Sequence, residues 1–298
     1  MLGLPVACGE WTTKERSELE RVPEERSELP PESPVRPRPG GEPGEPRYAE
    51  GDRLAALPPD SLIRSAPHGP VPDSIAALLE RRLEAAPAGA PVAEYLLWLP
   101  PGLERRDRRW PMIVYLHGRS LRGDDLDDLT RYGLPQLLDH DGAIPFVVLA
   151  PQLSGDGNWS GAALERVAEL IEAVARRYPV DRERIYLTGY SMGGGGVWRM
   201  AFRWPDTFAA AVPVAAHTPR PTGERISALR DLPILAFHGD RDEVTPLTRA
   251  EEMIAALREA GADAELRTIA GAGHGDLTRL YRDPALYAWM LEHARGSR

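Results

Sequence analysis

The sequence predicts an α/β fold, a mainly parallel sheet covered by helices on both faces, and three observations carry that expectation. Short apolar runs recur at 93–99, 112–116, 146–150, 185–188, 208–215, 234–237 and 264–269. Amphipathic stretches of helical spacing fall between several of them, at 161–177, 192–204, 246–260 and 285–294. The runs at 112–116, 146–150 and 234–237 are almost entirely apolar. Strands alternating with helices build parallel sheets, and an unbroken apolar run suits a strand buried on both faces. With 298 residues, 42 % hydrophobic and 27 % charged, the chain has room for one large domain of this kind or two small ones.

The chain divides by composition into three parts. Residues 1–50 hold nine prolines, eleven glutamates and seven Lys+Arg, with almost no aromatic or β-branched residues. Such a segment buries too little apolar area to offset its ordering entropy, so a disordered tail is expected. Residues 51–91 read as an N-terminal extension with one helix at 74–86. There Ile75, Leu78, Leu79 and Leu83 share a face, Ser74 stands at the cap position and Pro87 stops the run. Residues 92–298 carry the strand–helix alternation and form the main domain.

Composition also excludes whole chemistries. The formal net charge of −9 argues against nucleic acid as partner, because phosphate contacts need clustered positive charge. Lysine occurs once, at Lys14 in the tail, against 35 arginines. Schiff-base enzymes and P-loop nucleotide binders need a lysine in the site. Cysteine also occurs once, at Cys8, which excludes internal disulfides, cysteine zinc sites and iron–sulfur clusters. No apolar stretch approaches the roughly 18 residues of a membrane span. The first residues lack a basic n-region, and seven residues before Cys8 are few for a lipoprotein signal. A cytoplasmic address is expected; a secreted or lipidated form would need a start further upstream. No H-E-x-x-H spacing appears, and Asp124, Asp125, Asp127 and Asp128 lack the spacing and central glycine of an EF-hand. These aspartates read as a solvated loop or helix start, and no metal or other cofactor is expected.

The most informative segment runs from Arg184 to Trp198, RIYLTGYSMGGGGVW. It contains Gly189-Tyr190-Ser191-Met192-Gly193, a G-x-S-x-G directly after an apolar strand and directly before a helix. That context is the strand–turn–helix elbow that lifts a nucleophilic serine into a sharp turn. Glycines at 194, 195 and 196 continue into the helix at about 1 kcal/mol each relative to alanine, which suggests close backbone approach. A nucleophile of this type is followed along the chain by an acid and then a histidine. The strand at 234–237 runs into His238-Gly-Asp-Arg-Asp-Glu, which offers Asp240, Asp242 and, more weakly, Glu243. The strand at 264–269 leads to Ala270-Gly-Ala-Gly-His-Gly, and His274 stands in that glycine-flanked loop as candidate general base. His117 and His238 end buried strands and read as partners of loop backbone, whereas His217 precedes a proline-containing loop that could approach the cleft. Main-chain N–H groups for a developing oxyanion are expected at Met192 and, in the loop His117-Gly-Arg-Ser, at Arg119.

Together these residues resemble the α/β-hydrolase superfamily, and within it the phospholipase/carboxylesterase group of acyl-protein thioesterase-like, feruloyl-esterase-like and polyester-depolymerase-like enzymes. The matching pieces are YLHGRS at 115–120, APQ at 150–152, NW at 158–159, RIYLTGYSMGGGGVWRMA at 184–201, AFHGDRDEVTP at 236–246 and GAGHG at 271–275. The resemblance covers about residues 92–293. It implies an α/β-hydrolase catalytic domain at 92–298 with nucleophile Ser191, acid Asp242, base His274 and oxyanion donors Arg119 and Met192. The choice of Asp242 over Asp240 rests mainly on it. The segment between the strands ending near 215 and starting near 234 is under twenty residues, so no large lid is expected there. Trp159 and Tyr190 are candidates to line the substrate pocket. Glu243 stands where proline is common in the group. The expected activity is hydrolysis of a small carboxylic ester or thioester without a cofactor. The rivals are a serine peptidase of the prolyl-oligopeptidase type, for which residues 1–90 are too short to supply a propeller, and a non-catalytic binding protein on the same fold.

Overall fold

The computed structural model describes residues 78–83, 92, 94–103, 108–140 and 144–296. The tail expected at 1–50, and most of the extension at 51–91, lie outside the described residues.

Eight strands form one sheet: β1 (Leu78–Leu83), β2 (Glu94–Leu99), β3 (Trp110–Leu116), β4 (Val147–Gln152), β5 (Val180–Tyr190), β6 (Ala210–Val214), β7 (Ile234–Gly239) and β8 (Ala264–Ile269). Their order is β1-β2-β4-β3-β5-β6-β7-β8. β1 and β2 are antiparallel additions, and every pairing from β4 to β8 is parallel. The chain winds outward from β3 to β4, then crosses back to β5 and winds the other way. The crevice at the carboxyl ends of β3 and β5 is therefore a topological switch point, where open α/β sheets place their ligands.

Six helices are described: α1 (Gly133–His140), α2 (Gly161–Arg177), α3 (Met192–Arg203), α4 (Gly223–Ala228), α5 (Leu247–Glu259) and α6 (Pro284–Glu292). Strand alternation splits the core between the two faces. On β3, Met112, Val114 and Leu116 join the layer under α2, α3 and α5, while Ile113 and Tyr115 join the layer under α1, the 3-10 segment His274–Arg282 and α6. Helix α2 shows why its sequence folds as it does. Ala163, Leu164, Val167, Leu170, Ile171 and Val174 recur every three or four residues on the buried side. Arg176 and Arg177 close it at the end where the helix dipole favours cations. No described helix is long and apolar enough to cross a membrane. Between β6 and β7 only the short α4 intervenes.

The helix expected at 74–86 is overturned: its central residues, 78–83, form β1, paired antiparallel from Leu78 opposite Leu99 to Leu83 opposite Glu94. Helical spacing is a local signal. The exposed edge of β2 offers a row of unpaired backbone donors and acceptors, and pairing with them outweighs the modest helix propensity of LLERRL.

Candidate active site

Ser191 lies between β5 and α3 with φ 56° and ψ −114°, a left-handed backbone setting that a non-glycine residue holds only under tertiary constraint. The constraint is visible. The Ser191 N–H donates to Val214 O at 2.9 Å, and its carbonyl accepts the first helical bond, from Gly195 N–H at 3.0 Å. A β-carbon on Gly189 would stand 2.7 Å from the Gly193 carbonyl and from Leu116 O, and one on Gly193 would overlap Leu116 O. These two glycines let strand, turn and helix cross over the end of β3. The next glycines have the same cause: a β-carbon would come 2.7 Å from Ala216 Cβ at Gly194 and 2.6 Å from Trp159 Cβ at Gly196.

Three side chains converge at the carboxyl edge of the sheet. His274 Nε2 lies 2.8 Å from Ser191 Oγ, and His274 Nδ1 lies 2.7 Å from Asp242 Oδ2. The Asp242 side chain is sealed from solvent, whereas that of His274 is 13 % exposed. Asp242 Oδ1 accepts from the Val244 and Thr245 N–H groups, each at 2.9 Å, and Oδ2 also accepts from Thr245 Oγ1 at 2.7 Å. Burial pushes this carboxyl up, but the hydrogen bonds from His274 and from the Thr245 backbone outweigh it and hold the group down at about 2. Asp242 is thus a fixed anion that orients the imidazole with its proton on Nδ1, leaving Nε2 free to accept from serine.

The neighbouring candidates do other work. Asp240 is exposed and its Oδ1 accepts from Gly271 N–H at 2.7 Å, bracing the loop that leads to His274. Glu243 is exposed. His238 donates from Nε2 to Thr245 O at 2.9 Å, behind Asp242. His117 is buried, donates from Nδ1 to Gly118 O at 2.7 Å and accepts at Nε2 from Leu153 N–H at 3.0 Å. Burial holds it neutral, with its pKa lowered to about 4. His217 follows β6 beside the first turn of α3. Burial, together with the nearby imidazole of His274 and the guanidinium groups of Arg119 and Arg199, lowers its pKa to about 4. Arg119 opens the 3-10 turn Arg119–Leu121 after β3, and Met192 opens α3. Main-chain N–H groups at such first positions are the ones an element's own ladder leaves unpaired.

The two aromatic candidates separate. Tyr190 touches the site: its hydroxyl donates to His274 O at 3.1 Å and its ring lies 5.1 Å from the imidazole. Trp159 is packed beneath the surface. It is fully buried, donates from Nε1 to His117 O at 2.9 Å and packs edge-on against the His117 ring, so it braces the loop that carries Arg119. Its indole fills the space that Gly196 leaves open, a relation between distant residues that no local pattern signals. Thr245 escaped the sequence reading. Its three-residue offset from Asp242 is the spacing at which a side-chain carboxylate captures a following backbone N–H.

The mostly parallel order of the sheet, the two-way winding about β3 and β5 and the serine elbow at their carboxyl ends decide the fold. The chain has the α/β-hydrolase fold. Residues 152–286 match the model of the dienelactone hydrolase family. The chain is similar to the bifunctional acetylxylan esterase/xylanase XynS20E of Neocallimastix patriciarum, 27 % identical over 153 residues, covering 50 % of this chain and 22 % of that protein. Among solved structures it is similar to a thermostable esterase, at 25 % identity and TM-score 0.61, covering 74 % of this chain and 63 % of that one. A ferulic acid esterase at 20 % identity and TM-score 0.55, covering 73 % of this chain and 98 % of that one, shares the fold. The chain spans less than half the length of the curated relatives it matches.

Proposed function

We propose that the protein is a serine hydrolase of small carboxylic esters or thioesters, acting through an acyl-enzyme on Ser191. The observation that carries this reading is the unbroken hydrogen-bond chain Ser191 Oγ–His274–Asp242, in which each distance is 2.8 Å or less. In this reading Ser191 Oγ attacks the carbonyl carbon while His274 Nε2 takes its proton. Asp242 stabilises the resulting imidazolium and holds its tautomer. The main-chain N–H groups of Met192 and Arg119 receive the oxyanion of the tetrahedral intermediate. Collapse expels the alcohol or thiol, which takes the proton from His274. Water then attacks the acyl carbonyl carbon while Nε2 takes its proton, and collapse releases the acid as His274 returns that proton to Ser191 Oγ. No cofactor takes part in these steps.

The esterase relatives support an ester substrate over a peptide bond. The test is a panel of p-nitrophenyl esters of rising chain length, with an acyl thioester and a peptide anilide alongside, run on the wild type and on Ser191→Ala. Loss of a triad nucleophile costs on the order of 10⁶ in kcat. Ester turnover that disappears in Ser191→Ala, together with covalent labelling of the wild type alone by a fluorophosphonate, is the expected outcome. Ester turnover retained at a tenth of wild type in the variant would remove Ser191 from the mechanism, and turnover of the anilide alone would favour a peptidase.

A further inference from the structure

Resting on the serine-hydrolase reading, we infer that Tyr190 is a positioning residue: one side chain, rooted beside the nucleophile, holds the loop of the general base and the loop of the oxyanion donor in register with Ser191. Its root is firm. Tyr190 is the last residue of β5 and the backbone neighbour of Ser191. It is 6 % exposed and stands opposite Val214 in the parallel pairing with β6. Its side chain therefore leaves from a paired, buried point of the sheet.

From there it reaches the base. The Tyr190 hydroxyl donates to His274 O at 3.1 Å, and the phenol ring lies 5.1 Å from the imidazole. That loop needs an external hold. His274 stands between Gly273 and Gly275, and Gly271 has φ 75°. Glycine backbone has the most conformational freedom to lose on ordering. Asp240 accepts from Gly271 N–H and Asp276 from Gly273 N–H, which steadies the approach to the histidine. Tyr190 takes hold of the main chain of His274 itself, and does so from the residue that carries the chain into Ser191.

The same ring meets the oxyanion loop. A β-carbon on Gly118 would stand 2.8 Å from the Tyr132 hydroxyl oxygen and 3.1 Å from Tyr190 Cδ1, so the loop rests on both rings with no side chain between. The rings meet edge to face with centroids 5.6 Å apart, and Tyr132 and Ser120 share a hydrogen bond of 2.9 Å between their hydroxyl groups. Gly118 and Ser120 flank Arg119, so the pair of tyrosines grips the loop on either side of its main-chain donor. A phenylalanine at 190 would keep the rings seated; the hydroxyl adds the bond to the base loop. Misplacing a catalytic group by 1 Å costs up to about 10²-fold in rate. The 2.8 Å contact between His274 Nε2 and Ser191 Oγ and the placing of the Arg119 N–H thus share one support.

The test measures p-nitrophenyl acetate turnover and the rate of fluorophosphonate labelling at Ser191 on the full chain. Tyr190→Phe loses only the hydroxyl. It should lower kcat and kcat/KM together by about tenfold with KM within about twofold, the pattern of an interaction that counts in the transition state. Its Tm should fall by no more than about 4 °C, the scale of one hydrogen bond. Tyr281→Phe removes a comparable buried bond, to Thr188 Oγ1 at 3.0 Å, and should leave kcat within about twofold of wild type. In a His274→Ala background, Tyr190→Phe should cost less than about twofold further, because no base is left to position. Tyr190→Leu removes the ring as well. It should cost about 10²-fold and go on lowering turnover in that background, because the seat of Gly118 is lost. If Tyr190→Leu fails to fold, Tyr190→Phe decides alone. Wild-type labelling and turnover in Tyr190→Phe overturn the inference while leaving the hydrolase standing, as does a loss that persists in full in the His274→Ala background. A wild type that the fluorophosphonate does not label at Ser191 overturns the hydrolase reading and this inference with it.

Discussion

Asp242→Asn removes one charge and no volume, and the structure dictates which way the new amide must turn. Oδ1 of Asp242 receives two backbone N–H donors, from Val244 and Thr245, each at 2.9 Å. An NH₂ group cannot sit against two N–H donors, so the asparagine oxygen takes that place and its NH₂ is forced toward His274 Nδ1, 2.7 Å away. Nδ1 must then accept, which moves the imidazole proton to Nε2. Nε2–H points at Ser191 Oγ, 2.8 Å away, and can no longer take its proton. The same substitution in other serine hydrolases costs about 10⁴ in kcat, equivalent to about 5 kcal/mol of barrier. Asp240→Asn is the matched control. It removes an equal charge two residues away but keeps the oxygen that accepts from Gly271 N–H, so the expected loss is about tenfold or less. The assay is kcat on p-nitrophenyl acetate at one pH near 8, with circular dichroism on both variants. Losses within tenfold of each other would mean a general electrostatic effect, and a larger loss in Asp240→Asn would place the acid two residues upstream. Either result refutes the tautomer argument.

Three further outcomes concern stability. His117 is held neutral in the fold, with its pKa near 4 against 6.5 in the unfolded chain, which takes up the proton first as pH falls. This residue should therefore remove about 3 kcal/mol of stability between pH 6.5 and 4, seen as a falling urea midpoint; a midpoint constant over that window would contradict it. Asp242 acts lower on the scale. Its carboxylate, held near 2 against 3.8, contributes stability that is present above pH 4 and lost toward pH 2, about 2 kcal/mol that Asp242→Asn should no longer show in acid titrations followed by fluorescence. Gly193→Ala drives a methyl group into Leu116 O and should lower Tm by more than about 10 °C, whereas Gly275→Ala, with open space at its β-carbon, should leave Tm within about 2 °C in differential scanning calorimetry.

Much of the candidate site was legible because its signals are local. Ser191 was readable from a strand, a turn and two obligatory glycines within a few residues, and His274 from its glycine-flanked loop after β8. The seven apolar runs became β2 to β8, and for β3, β4 and β7 the signal was strongest because a strand buried on both faces is apolar along most of its length. Tertiary structure alone decided the rest. Asp240 and Asp242 are equal in local chemistry, so the choice of Asp242 leaned on family resemblance, and the packing of the β7 loop against the β8 loop supplies the physical reason: Asp242 meets the imidazole and Asp240 pins Gly271. The helical pattern around Leu78–Leu83 yielded to an open sheet edge, because backbone pairing with β2 is a partner that the segment's own periodicity cannot see. Trp159 looked like a pocket wall and became a brace for His117. Chemistry written within a few residues can be read along the chain. Chemistry that depends on which of several equivalent groups meets a partner on a distant loop is settled only by the fold that brings them together.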